Sequence, residues 1–160
     1  MTKPRSIGPV VLAGGLLGCG LGALFDGIVL HQILQWHNLL SSVRPPTDLE
    51  AMKYNMLWDG LFHAFAWLVT AAGIAQLWVS ARRSRARFSN RAFLGALLGG
   101  WGSFNLIEGL IDHQLLGLHH VHPGEAELAW DLGFLAWGAA MLLAGALLVR
   151  RAETELLTGP

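Results

Sequence analysis

The chain has 160 residues, 53% of them hydrophobic and 14% charged, and a mean hydropathy of +0.45, which is too apolar for a soluble domain of this size. Eleven basic residues balance eleven acidic ones, so nothing resembles the clustered cations of a nucleic-acid face. The single cysteine, Cys19, excludes an internal disulfide and a thiolate-rich metal cage.

Four apolar stretches follow one another, at about residues 8 to 37, 52 to 81, 89 to 118 and 125 to 150. Each exceeds the ~20 residues that a bilayer core requires. In lipid every backbone donor and acceptor must be satisfied within the segment, and four segments cannot close a barrel, so all four are expected as helices. Ser6 and Pro9 mark the first start. Lys3 and Arg5 followed by Leu16-Leu17-Gly18-Cys19 imitate a lipoprotein signal, but the apolar run continues to Leu30, which favours an uncleaved helix. Thr47 to Glu50 forms a capping box before the second helix, and Ser89 precedes the third. Pro123, Gly124, Glu125 and Glu127 give the fourth a proline start and an acidic first turn. The expected fold is all-α: one membrane domain over residues 1–160, a bundle of four transmembrane helices.

The link between the second and third helices contains Arg82, Arg83, Arg85, Arg87 and Arg91. Positive charge stays on the cytoplasmic side, so both termini are expected there too, in the inner (plasma) membrane, in agreement with Lys3, Arg5, Arg150 and Arg151. The other two links then face outward.

One motif occurs twice. Asp26-Gly27-Ile28-Val29-Leu30-His31-Gln32, closing on His37, returns as Glu108-Gly109-Leu110-Ile111-Asp112-His113-Gln114, closing on His119. The partner helices agree: Trp58-Asp59 with Phe62 and Trp67 answers Trp130-Asp131 with Phe134 and Trp137. The expectation is two parallel two-helix repeats, about 8–81 and 89–150, related by an axis along the membrane normal. His63 is matched by Leu135, so the two halves need not be equivalent. Gly18 with Gly22, and Gly95 with Gly99, have the spacing that lets membrane helices approach closely.

Ionisable groups inside a membrane are costly and mark function by default. At about 1.5 Å of rise per residue, His37 and His119 are expected near the outer interface, with His31 and His113 about 9 Å deeper. Asp26 and Glu108 approach the midplane, and Asp59, Asp131 and His63 enter from the opposing helices. Met52, Met56, Asp59 and His63 fall on one stripe at about 100° per residue. Asp26 and His31, however, lie about 140° apart on a regular helix. A π-bulge at this interval and at Glu108 to His113 would bring both groups to one interior.

Imidazole and carboxylate without thiolate suit iron, copper, zinc or manganese. The candidate ligands are His31, His63 and His113 with Asp59, Asp131, Asp26, Glu108, His37 and His119, while His120 and His122 read equally well as interfacial residues. Gln32 and Gln114 could orient the rings. The Glu-x-x-His pairs of di-iron bundles are missing. Met52 and Met56 near the outer mouth suit Cu(I) and favour copper; copper or iron is expected before zinc.

The segments Phe25-Asp26-Gly27 through Trp36-His37, Leu57-Trp58-Asp59-Gly60, and Glu108-Gly109 through His113-Gln114 resemble a family of small four-helix bacterial membrane proteins with repeated carboxylate-Gly-x3-His-Gln motifs. The resemblance covers nearly the whole chain. It implies the fold and the importance of these positions, and no activity comes with it. Members encoded near cytochrome-oxidase assembly factors imply copper or haem handling, with assembly proteins or a second copy of the chain as partners.

The leading expectation is an integral membrane metalloprotein whose site opens outward, in copper or redox chemistry. The alternatives are a proton or ion transporter using Asp26, Glu108, Asp59 and Asp131, a b-type haem protein with His31 and His113 as axial ligands, and a purely structural subunit.

Overall fold

The computed structural model describes residues 6–82 and 87–158; Lys3, Arg5, Arg83 and Arg85 lie outside them. The described residues form helices and no strands. Helix α1 spans Gly8–Phe25 and runs on as a π-helix over Asp26–Ile33. Helix α2 spans Leu49–Ala81. Helix α3 spans Asn90–Glu108 and runs on as a π-helix over Gly109–Leu115. Helix α4 spans Glu127–Thr158. All four are long and apolar enough to cross a membrane.

The starts have local causes. Ser6 Oγ accepts the Gly8 N–H at 3.1 Å, and a proline follows in the first turn of α1. The cap of α2 is Asp48 rather than the expected Thr47: its carboxylate accepts the Ala51 N–H at 2.8 Å. Ser89 caps α3 through the Ala92 N–H at 3.2 Å, and Glu127 supplies the acidic first turn of α4. These bonds satisfy N–H groups that a helix cannot satisfy itself.

The two inner helices are α1 and α3, packed on each other, with α2 outside α1 and α4 outside α3. Glycine sets the separations. A Cβ on Gly18 would overlap the Leu97 carbonyl, and one on Gly100 would overlap the Gly15 carbonyl. The same holds between α3 and α4 at Gly102 against Gly138 and at Gly145 against Gly95 and Gly99. Small residues face inward while large ones face lipid, as on α2, where Ala51, Ala66 and Gly73 are buried but Leu57, Leu61, Phe65 and Leu68 are exposed.

At one end of the bundle Ile7, Ala92 and Ala152 form a small core, the Arg87 N–H bonds the Ser6 carbonyl, Ser80 Oγ donates to the Pro9 carbonyl, and Arg91 pairs with Glu155. Ser6, Arg87, Arg91 and Glu155 thus share this end. The histidines gather at the other.

There the sequence expectation needs correction. The first and third helices stop at Ile33 and Leu115, not at 37 and 118. Gln35 (φ 52°) and Gly117 (φ 57°) adopt left-handed backbone, which turns the chain sharply back. His37 and His119 therefore sit on loops folded over the bundle mouth, not on the last helical turn.

Candidate metal centre

The widened helix expected between each carboxylate and its histidine is present, and it extends over eight residues in the first copy and seven in the second rather than one bulged residue. Residues Asp26–Ile33 and Gly109–Leu115 are π-helical. With wider turns, Asp26 and His31 face one interior: Asp26 Oδ2 lies 3.0 Å from His31 Nε2, and Glu108 Oε1 lies 2.8 Å from His113 Nε2. Gly27 and Gly109 make room for the neighbouring helix. A Cβ on Gly27 would meet the His63 ring and one on Gly109 would meet Leu135.

Four imidazoles meet at this point. His37 and His119 stack at 4.6 Å between centroids; His31 lies 4.4 Å from His37, and His113 lies 4.7 Å from His119. The depth estimated from helical rise is thus wrong for His37 and His119. Because the loops fold inward, both are buried, His119 completely. Donor atoms of His31, His37 and His119 lie within 4.8 Å of one another, as do those of Glu108, His113 and His119. His119 belongs to both groups.

Each ring turns its Nδ1 outward to an oxygen. His31 Nδ1 is 3.1 Å from Asp59 Oδ1, and His113 Nδ1 is 3.4 Å from Asp131 Oδ1. His37 Nδ1 donates to the Val121 carbonyl at 2.8 Å, and His119 Nδ1 donates to the Leu39 carbonyl at 3.0 Å. The two outer carboxylates are held in turn. Asp59 accepts from Asn38, the Leu39 N–H and Gln32; Asp131 accepts from the Val121 N–H, Gln114 and His120. Carboxylate or carbonyl behind an imidazole fixes its tautomer and raises its basicity as a ligand.

With Nδ1 carrying the proton, Nε2 of His31 and His37 presents a bare lone pair inward; His113 hydrogen-bonds through neither nitrogen, and His119 Nε2 already meets Glu108 Oε1 at 3.0 Å. The Nε2 atoms of His31, His37 and His113 find no hydrogen bond, although carboxylate oxygens stand at 3.0 and 2.8 Å from two of them. A neutral imidazole has only one N–H, and lone pairs facing carboxylate oxygens repel unless a proton or a cation lies between. Four carboxylates, Asp26, Asp59, Glu108 and Asp131, are at most 6% exposed, and buried anions need compensation. Among the described residues the arginine ion pairs, Arg44–Glu50 and Arg91–Glu155, are both exposed. Burial, followed by the neighbouring His119 and His31, pushes the His37 imidazole down to about 2, so it remains a neutral donor. These residues fit a cation with a nitrogen and oxygen shell.

The candidates are not all brought together. His31, His37, His113, His119, Asp26 and Glu108 converge, with Asp59 and Asp131 behind them. His63 stands apart: its Nδ1 donates to the Asp59 carbonyl of its own helix at 2.7 Å and its Nε2 presses on Gly27, the place that Leu135 takes against Gly109. Met52 and Met56 are 48% and 63% exposed, off the inward stripe of Asn55, Asp59 and Ala66. They line a cavity of about 360 Å³ that also touches His31, Gln32 and Gln35. His122 packs beside Trp36 and Trp130. A haem between His31 and His113 has no room, because the His37 and His119 rings fill the space between them. Sequence reasoning missed the Leu39 and Val121 backbone groups; their matching positions after the two closing histidines were the available signal.

Residues 13–152 match the family described as predicted membrane protein (DUF2243). The chain belongs to the DUF2243 family. No curated protein and no solved structure matches it. In this DUF2243 protein, then, four apolar helices carry a buried group of histidines and carboxylates able to hold a metal ion.

Proposed function

We propose that the protein is an integral membrane metalloprotein whose centre is formed by His31, His37, His113 and His119 with Asp26 and Glu108, acting in the redox chemistry of copper or iron. The observation that carries this reading is the convergence of donor atoms from His31, His37 and His119 and from Glu108, His113 and His119, each group within 4.8 Å, while each ring turns its Nδ1 to an oxygen on the other side. Asp59 and Asp131 orient the rings from outside. Copper is favoured over zinc because the thioethers of Met52 and Met56 beside His31 suit Cu(I) entry from an oxidising compartment.

The reading of the chain as two parallel repeats belongs to the same proposal. It is supported by contacts at matched positions: His37 to Val121 and His119 to Leu39 cross between the halves, and Asp26 to His31 and Glu108 to His113 repeat within each. So does an inner-membrane location with both termini cytoplasmic, supported by Arg82, Arg87 and Arg91 lying away from the histidines. Activity of an exported-phosphatase fusion at residue 85, with none at residue 45, would reverse that orientation. A link to respiratory oxidase assembly rests on the resemblance alone, and self-association is the alternative partnership.

Transport of protons or ions is the weaker reading. Below Asp26 and Glu108 the described core passes through Ala23, Ala66 and Phe104 toward Val10 and Ala13, with no chain of ionisable groups to carry a path. Metal analysis of detergent-purified protein with an optical spectrum tests the proposal. Stoichiometric copper or iron without a Soret band is expected. Protein that holds no metal, both as purified and after incubation with Cu²⁺ or Fe²⁺, would overturn it.

A further inference from the structure

Beside the histidine cluster, between α1, α3 and α4, lies a cleft of about 270 Å³. Its walls are aromatic, made by Trp36, Trp101, Trp130 and Trp137 with Phe25 and Phe134. Phe25 and Trp137 are 47% and 61% exposed on the apolar surface, so the cleft opens toward lipid. Two buried polar side chains also line it, Asp26 and Asn105, each 3% exposed. The Asn105 amide has no hydrogen-bond partner among the described residues, and Asp26 accepts no hydrogen bond there beyond facing His31 Nε2 at 3.0 Å. The amide is reached from the cleft rather than sealed in the core, so its hydrogen-bonding capacity is left for a ligand.

The other half of the chain keeps Glu108, Trp58 and Phe62 at the positions of Asp26, Trp130 and Phe134 but lacks the rest. When the repeated motifs are aligned, the positions of Trp36, Trp101, Asn105 and Gly133 are taken by Leu118, Cys19, Ala23 and Leu61. The amide, with the indoles of Trp36 and Trp101 beside it, occurs on one side only.

We propose that this cleft binds the headgroup of a membrane quinone or quinol. A planar ring fits between indole faces, which favour offset or edge contacts. The Asn105 amide N–H donates to one ring oxygen in either form, the other oxygen donates to Asp26 when it is a quinol hydroxyl, and the isoprenoid tail leaves past Phe25 and Trp137 into lipid. An acyl chain would fill the aromatic walls but leave Asn105 unpaired. The proposal names the partner of the redox centre and rests on that reading for its purpose, whereas binding itself requires no metal.

The test is quenching of tryptophan fluorescence in the metal-free, detergent-purified full chain by decylubiquinone. Gly133→Leu fills the cleft with the residue found at the matched position. A Cβ there meets no atom within 4 Å, so the bundle is not disturbed. Gly60→Leu, equally unobstructed, is the control. Saturable quenching is expected in the wild type and in Gly60→Leu, weakened about tenfold or more in Gly133→Leu, a change of ~1.4 kcal/mol. Asn105→Ala should weaken it several-fold, as loss of one hydrogen bond does. Equal, non-saturating quenching in all four proteins, the signature of partition into detergent, would overturn the proposal. Saturable quenching in a protein that never holds metal would overturn the metal reading and leave this one standing.

Discussion

His37 and His119 stack with ring centroids 4.6 Å apart and planes 13° from parallel, and each holds the loop of the other through a backbone carbonyl, Val121 for His37 and Leu39 for His119. The two loops thus lock each other over the mouth of the bundle, and both rings are delivered with Nδ1 occupied. Outer partners of ligating histidines are worth about 10–100-fold in metal affinity. Asp59→Asn and Asp131→Asn are expected to cost that much, and His119→Ala more, because His119 serves both donor groups. Competition with a chelator of known affinity measures the series. An affinity in His119→Ala equal to the wild type would remove that residue from the centre.

His63→Leu should keep metal stoichiometry and affinity. Its ring nitrogens face the Asp59 carbonyl and Gly27, and leucine already fills the matching position at Leu135. Metal analysis of the folded variant decides it; lost metal would place His63 among the ligands.

The pH dependence of the metal-free protein follows from His37. Its folded value of about 2 lies below the ordinary ~6.5 of an unfolded histidine, so the unfolded chain binds more protons in the window between. Stability from this residue is complete above about 6.5 and falls as pH drops toward 2, by up to ~1.4 kcal/mol per unit. Thermal unfolding of metal-free protein at pH 7 and pH 5 should differ by a smaller margin in His37→Asn than in the wild type. Equal shifts in the two proteins would assign the acid sensitivity elsewhere.

Gly18→Ala and Gly100→Ala should each destabilise the bundle by about 1–3 kcal/mol or more, because the added methyl meets backbone of the facing helix. Gly60→Ala, with open space around its Cβ, should be neutral or slightly stabilising. Unfolding in detergent compares the three. Equal melting of Gly18→Ala and Gly60→Ala would contradict the close approach of α1 and α3.

The four helices were legible because the apolar runs, the cap at Ser89 and the acidic first turn at Glu127 are local signals. The π-helices were legible for a different reason: Asp26 and His31 could share an interior only if the turns widened. What the sequence hid was the exit from the helix. Ile33-Leu34-Gln35 continues the apolar run with no breaker, and only Gly117, in the second copy, hints at the left-handed residue needed there. Depth inferred from helical rise therefore failed for His37 and His119, which reach the centre by a fold of the loop. The stripe of Met52, Met56, Asp59 and His63 failed too. Asp59 alone among them is buried toward the site, since Asn55 and Ala66 share its face.

The most direct test of the centre is X-ray absorption at the metal edge of protein loaded with copper or iron. A first shell of nitrogen and oxygen at about 2.0–2.2 Å, with the outer-shell scattering of several imidazoles and no sulfur in the resting state, is the predicted result. A shell without imidazole scattering, or one dominated by sulfur, would contradict a centre built from His31, His37, His113 and His119.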